Sequence, residues 1–92
     1  MKYYPIHLDI KNRNCLIVGG GAVGTRKVNT LLECGAHVTV VSTDPASQLT
    51  RLASEESITL KRRAYRSDDL TGMFLVIGAT DDETLNRQIS KD

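Results

Sequence analysis

Glycines stand at positions 19, 21 and 24 of the segment Cys15-Leu16-Ile17-Val18-Gly19-Gly20-Gly21-Ala22-Val23-Gly24, and that spacing meets the needs of a bound pyrophosphate. In a Gly-x-Gly-x-x-Gly turn the first glycine permits the tight exit from a strand. The second lets backbone N–H groups approach phosphate oxygens, and the third lets helix and strand pack closely. A helix starting there aims the positive end of its dipole, and its unpaired N–H groups, at the same point. The spacing alone is a weak signal. Its context strengthens it: an apolar run before, an amphipathic stretch after, and a second β-branched run on schedule. The chemistry predicted is dinucleotide binding, with Gly19 and Gly21 at the turn.

Two further clusters sit where such a ligand would extend. An acidic residue for the adenosine ribose is expected about twenty residues past the glycines. Val41 and Ser42 occupy the end of the second predicted strand, and Asp44 follows in the turn. Asp44 has two compatible readings: accepting hydrogen bonds from the ribose with Ser42 and Thr43 beside it, or capping a second helix begun by Pro45. No Arg stands in this loop to meet a 2′-phosphate, so NAD is favoured over NADP. Thr80-Asp81-Asp82-Glu83 follows the fourth predicted strand. Thr80 and Glu83 fit a capping box, with two acids favouring the helix dipole, and capping is the favoured reading of the aspartates. The alternative makes Thr80 a neighbour of the nicotinamide or its ribose and Asp81 or Asp82 an acid–base group; Thr80 is able to serve both readings.

The remaining reactive side chains give less. Arg26-Lys27 and the denser run Lys61-Arg62-Arg63-Ala64-Tyr65-Arg66 read first as solvated faces, and second as counter-charges for a carboxylate-rich substrate. Cys15 and Cys34 lack metal or redox spacing and read as small buried or half-buried thiols. His7 and His37 are the only imidazoles, so no metal site is assembled. The Tyr-x-x-x-Lys pair of short-chain dehydrogenases and the phosphate loop ending in Gly-Lys-Ser/Thr are both absent.

The elements that must position these residues follow from periodicity. Residues 14–18 form a near-continuous apolar run, as in a strand covered on both faces. Val23, Val28, Leu31 and Leu32 recur near the helical period over 22–33, and Gly35 suits a left-handed C-terminal stop. His37–Val41 is a second strand, Ser57–Lys61 a third and Met73–Ala79 a fourth. Ser67–Leu70 reads as one capped turn, and a last helix starts at Thr80. Ile6, Leu8 and Ile10 alternate with polar residues, as an extended segment beside the sheet would. The expected fold is α/β, a Rossmann-like three-layer arrangement with a parallel sheet of four to five strands and right-handed crossovers. The 92 residues fit a single domain, 1–92, that buries roughly 60–65% of its unfolded surface. A net charge of +1 argues against nucleic-acid or membrane-surface partners. With no membrane-length apolar run and no signal-peptide core, the expected location is cytoplasmic.

Taken together, these residues resemble the siroheme synthase N-terminal type, the NAD-dependent precorrin-2 dehydrogenases that often also act as sirohydrochlorin ferrochelatases. The resemblance rests on Tyr4–Asp9, on Cys15–Lys27 through the glycine turn, on Leu31–Val41 and on Phe74–Asn86. The triple glycine followed by Val23 and Arg26-Lys27, with Ala79-Thr80-Asp81-Asp82 later, is far more specific than the glycines alone. Gly24 stands where family members often carry Ala, a departure toward the general dinucleotide fingerprint. The resemblance implies NAD as cofactor, precorrin-2 as tetrapyrrole substrate, and a homodimer in the full-length protein. It also implies that backbone at Gly21, Ala22 and Val23 holds the pyrophosphate, and Thr43 and Asp44 the adenosine half. The family's catalytic aspartate, and its dimerisation and substrate-closing domain, are expected beyond position 92, so no catalytic residue and no metal ligand is assigned here. A dinucleotide-sensing regulatory module is the alternative function, and an inactive scaffold dimerising through its open sheet edge a third.

Overall fold

A computed structural model describes residues 9–80 and 87–89 of the chain. The first strand, β1 (Asn14–Val18), leads through the glycine turn into α1 (Ala22–Glu33), then β2 (His37–Val41), α2 (Ser47–Ser54), β3 (Thr59–Lys61), a 3₁₀ turn at Ser67–Leu70, and β4 (Leu75–Gly78). The strands form one sheet in the order β3-β2-β1-β4. Every pairing is parallel: Leu16 lies beside Thr39 and Val76, and Val40 beside Leu60. This is the expected α/β architecture, with four strands among the described residues, and β1, α1 and β2 have the bounds read from the sequence.

Alternation along the central strands divides the core. Cys15 and Ile17 of β1, with Val38 and Val40 of β2, face Val28 and Leu31 of α1 and Leu49 of α2. Leu16, Val18 and Val41 face the other way, onto Tyr65, with Leu70, Met73 and Ile89 against them. Both faces of β1 and β2 are therefore covered, which is why those strands are apolar at nearly every position. On α1 the buried stripe is Gly24, Thr25, Val28 and Leu31. Val23, counted with the apolar stripe from its type, faces outward at 46% exposure, because the stripe's helical period passes through Gly24 instead.

The end of α1 shows how the sequence sets a boundary. Gly35 adopts φ +80°, its N–H donates to the Leu32 carbonyl at 3.0 Å, and the Ala36 N–H donates to the Leu31 carbonyl at 3.1 Å. This left-handed close satisfies carbonyls that the helix leaves open. Cys34, expected to be at least half-buried, is exposed there, whereas Cys15 is fully buried. The helix stops before Cys34 can turn inward.

The start of α2 departs from expectation. Neither Asp44 as N-cap nor Pro45 as first helical residue holds: α2 begins at Ser47, with Ala46 as an extended N-cap. The Asp44 N–H donates to the Ser42 hydroxyl at 3.3 Å, and the Ala46 N–H donates to the Gly20 carbonyl at 2.8 Å. Pro45 disfavours helical backbone at residue 44, and these two bonds hold the segment as a loop against the glycine turn. The third and fourth strands start two residues later than read, at Thr59 and Leu75. Residues 87–89 are helical, while residues 81–83 of the expected capping box and the extended segment over 3–8 lie outside the described residues.

Candidate functional site

The chain passes from β1 to β2 on one side of β1, and from β3 to β4 on the other. At such a reversal the loops leaving the carboxyl ends of the strands diverge and open a crevice. Here it is a cleft of about 630 Å³, floored by Val18 and Val41 and walled by loops from all four strand ends. Residues of the glycine turn, the Ser42–Asp44 loop, the Arg63–Tyr65 loop and the Ala79-Thr80 strand end meet there, with Gln88 at its margin.

The glycine turn is built by close approach. Gly19 has φ +114°, and a Cβ there would lie 2.5 Å from the Ala79 carbonyl oxygen. Its N–H continues the ladder to the Val41 carbonyl at 2.9 Å. Gly20, to which the sequence reading gave no role, is closed in as well: a Cβ would stand 2.7 Å from the Ser42 hydroxyl oxygen and 2.9 Å from the Pro45 Cα. A Cβ on Gly24 would press against the Gly19 carbonyl, as expected where helix and strand cross closely. Gly21 is the exception, with nothing within 4 Å of an added Cβ. It is also the N-cap of α1, with no side-chain cap and no acidic residue in the first turn. The Gly21 carbonyl accepts the Thr25 N–H and the Thr25 hydroxyl, both at 2.9 Å, which fixes the first turn of the helix.

An uncapped, acid-free helix N-terminus beside open space fits an anionic ligand, since the first-turn N–H groups have no intrahelical acceptor and the dipole favours negative charge. The residues present therefore fit a pyrophosphate. Of the eight residues singled out from the sequence, Gly19, Gly21, Ser42, Thr43, Asp44 and Thr80 line the cleft. Ala22 and Val23 do not line it; they open α1 immediately after the turn, where only their backbone faces the question of phosphate binding. Asp44 is exposed.

Arg63, Ala64, Tyr65 and Gln88 line the cleft without having been singled out as ligand residues. The adenosine loop itself carries no Arg, as read from the sequence, but one comes near it in space: β3 lies beside β2, so the loop after Lys61 stands next to Ser42, whose N–H donates to the Lys61 carbonyl at 3.1 Å. The Arg63 guanidinium is held by Asp69, with N–H bonds of 2.9 Å to Oδ2 and 2.5 Å to Oδ1, and it donates to the Ala64 carbonyl at 3.0 Å. Asp69 Oδ2 also accepts the Arg66 N–H at 2.8 Å, and Lys61 Nζ lies 3.8 Å from Oδ1. The Asp69 side chain is 2% exposed. Its carboxyl is held below the ordinary range by the Arg63 guanidinium first, with the Arg66 N–H and Lys61 adding to this against the opposing effect of burial. The same bond raises the Arg63 pKa. The sequence signal was only a basic run with an acid six residues on.

Residues 6–92 match the model of a family described as "Putative NAD(P)-binding". A siroheme synthase of Pseudoalteromonas atlantica is 48% identical over 89 residues, covering 97% of this chain and 19% of the relative. One from Nitrosomonas eutropha is 46% identical over 91 residues, covering 98% and 19%. The chain thus spans about a fifth of the length of these relatives. Among solved structures, "SirC, precorrin-2 dehydrogenase" superposes with a TM-score of 0.89 at 31% identity, over 96% of this chain and 44% of that one.

Proposed function

The chain belongs to this NAD(P)-binding family, and on that premise we propose that residues 1–92 act as one NAD-holding domain in the oxidation of precorrin-2 to sirohydrochlorin. The observation that carries the reading is the N-terminus of α1, uncapped and free of acid, opening beside the unobstructed Gly21. Backbone N–H groups at Gly21, Ala22 and Val23 would bind the pyrophosphate, and Gly19 would set the turn that brings them there. Ser42, Thr43 and Asp44 would take the adenosine ribose, with the Asp44 carboxylate accepting from its hydroxyls. The same carboxylate repels a 2′-phosphate, which favours NAD over NADP. Thr80 stands at the β4 end of the cleft, where the nicotinamide half would lie. The nicotinamide, when bound, would supply the hydride acceptor for that oxidation.

Precorrin-2 as substrate draws its support from the superposed structure's description and from the siroheme synthases that this chain resembles. The sensing-module alternative draws none from them. The test is a chimera in which this chain replaces the matching 89 residues of the Pseudoalteromonas siroheme synthase. A folded chimera that binds NAD and produces NADH on addition of precorrin-2 is the expected result. A folded chimera that binds NAD but leaves precorrin-2 unoxidised, where the parent enzyme oxidises it, overturns the substrate assignment.

A further inference from the structure

The Asp69 carboxylate has a 2% exposed side chain, and among the described residues only Thr25 is otherwise both buried and polar. Burying an ionised carboxylate is costly unless it is fully partnered. Here its partners are Arg63, Lys61 and the Arg66 N–H, and one of them, Arg63, lines the cleft. Two N–H bonds to one carboxylate fix the plane of a guanidinium as well as its position. They also occupy its Nη1/Nη2 edge and compensate its charge. An arginine arranged this way is poorly suited to receive a phosphate, because its charge is already compensated by a buried carboxylate at salt-bridge distance. It keeps a rigid face, and guanidinium faces stack on flat π-systems.

The part of the ligand that would come to this wall is flat and uncharged. Ser42–Asp44 and Arg63–Tyr65 line the same cleft from the ends of adjacent strands. If the first loop takes the ribose, the base attached to that ribose reaches the second. We propose that Arg63 is the platform against which the adenine of the bound dinucleotide packs, and that Asp69 is the positioning residue that orients it. This rests on the NAD-binding reading above and adds to it the adenine contact and a source of discrimination against NADP. With its charge compensated by Asp69, Arg63 offers little net attraction to a 2′-phosphate.

The experiment is calorimetric titration of the 92-residue chain with NAD, NADP and AMP, repeated on Arg63→Ala and Asp69→Asn. Loss of the stacked guanidinium weakens NAD and AMP alike, by roughly tenfold. Asp69→Asn removes the compensating charge and loosens the guanidinium, so NAD weakens while NADP gains relative to it; a role confined to stability would leave that ratio unchanged. Because Arg63→Ala leaves a buried carboxylate short of a partner, the wild-type chain supplies a readout needing no variant: the Arg63 Nε–H resonance shifts on addition of AMP. Wild-type chain that binds NAD with no shift at Arg63, or Arg63→Ala that is folded and binds AMP as tightly, overturns the platform while leaving the NAD reading intact. An unchanged NAD-to-NADP ratio in folded Asp69→Asn overturns the positioning role. Wild-type chain that binds neither NAD nor AMP overturns both readings together.

Discussion

Alanine at Gly20 and alanine at Gly21 separate what the glycine turn does for folding from what it does for the ligand. At Gly20 a new Cβ would stand 2.7 Å from the Ser42 hydroxyl oxygen and 2.9 Å from the Pro45 Cα. Comfortable carbon contacts lie near 3.5–4.0 Å. Rotating the Ser42 hydroxyl would not relieve the Ser42 Cβ, also 2.9 Å away, and the Pro45 Cα is backbone, so the 42–46 loop must move away from the turn it bonds through Ala46. Overpacking of this kind costs about 1–3 kcal/mol, and the entropy lost by the unfolded chain returns about 0.4–1 kcal/mol. The net loss is about 1–2 kcal/mol, a fall in Tm of roughly 5–15 °C for a domain this size. At Gly21 nothing lies within 4 Å, and the backbone there, φ −84° and ψ −159°, is extended. The entropy gain and the poorer N-cap nearly cancel, so stability stays within about 0.5 kcal/mol. The Cβ instead enters the space a pyrophosphate needs, and NAD affinity falls by roughly tenfold or more. Urea denaturation followed by far-UV circular dichroism gives the first quantity, and calorimetric NAD titration the second. Gly21→Ala that binds NAD like the wild type, or that destabilises as much as Gly20→Ala, refutes the reasoning.

Three further outcomes follow from the same geometry. Asp69→Asn lowers stability at neutral pH by about 2–3 kcal/mol; because the folded carboxyl titrates below its unfolded value of about 3.9, this contribution is present above that value. It is lost as pH falls through the lower folded value, so the gap between wild type and variant should close in acid denaturation profiles. Leu49→Ala empties a fully buried position between α2 and the sheet and should cost about 3 kcal/mol, read as a lower urea midpoint. Cys34 is exposed, while Cys15 is buried and its thiol is pushed up by that burial. Mass spectrometry after brief alkylation of the native chain should therefore show one adduct, at Cys34.

The parts of the fold that were legible in the sequence are those governed by local chemistry. Cys15–Val18 is apolar because both its faces are covered, Gly19 ends the strand, and Gly35 ends α1 through bonds made within a few residues. The start of α2 was misread because Asp44-Pro45 has the residue types of a cap and a first turn. What overrides them is a bond from Ala46 to Gly20, far away along the chain. Arg63 was missed for a related reason. It enters the cleft only because β3 pairs with β2, and it is fixed only because Asp69 turns inward on the 3₁₀ segment. A run of basic residues carries no mark of either event. The glycine turn was found because its chemistry is written in adjacent positions, whereas the wall facing it is assembled by sheet register.

The central claim is that the cleft at the N-terminus of α1 holds NAD. Titrating NAD into the ¹⁵N-labelled chain and following its backbone amides tests it most directly. The account predicts saturable binding tighter than the order of millimolar, with the largest shifts at Gly21, Ala22, Val23 and the Ser42–Asp44 loop. Absence of saturation at millimolar NAD, or shifts confined to residues away from that cleft, would contradict it.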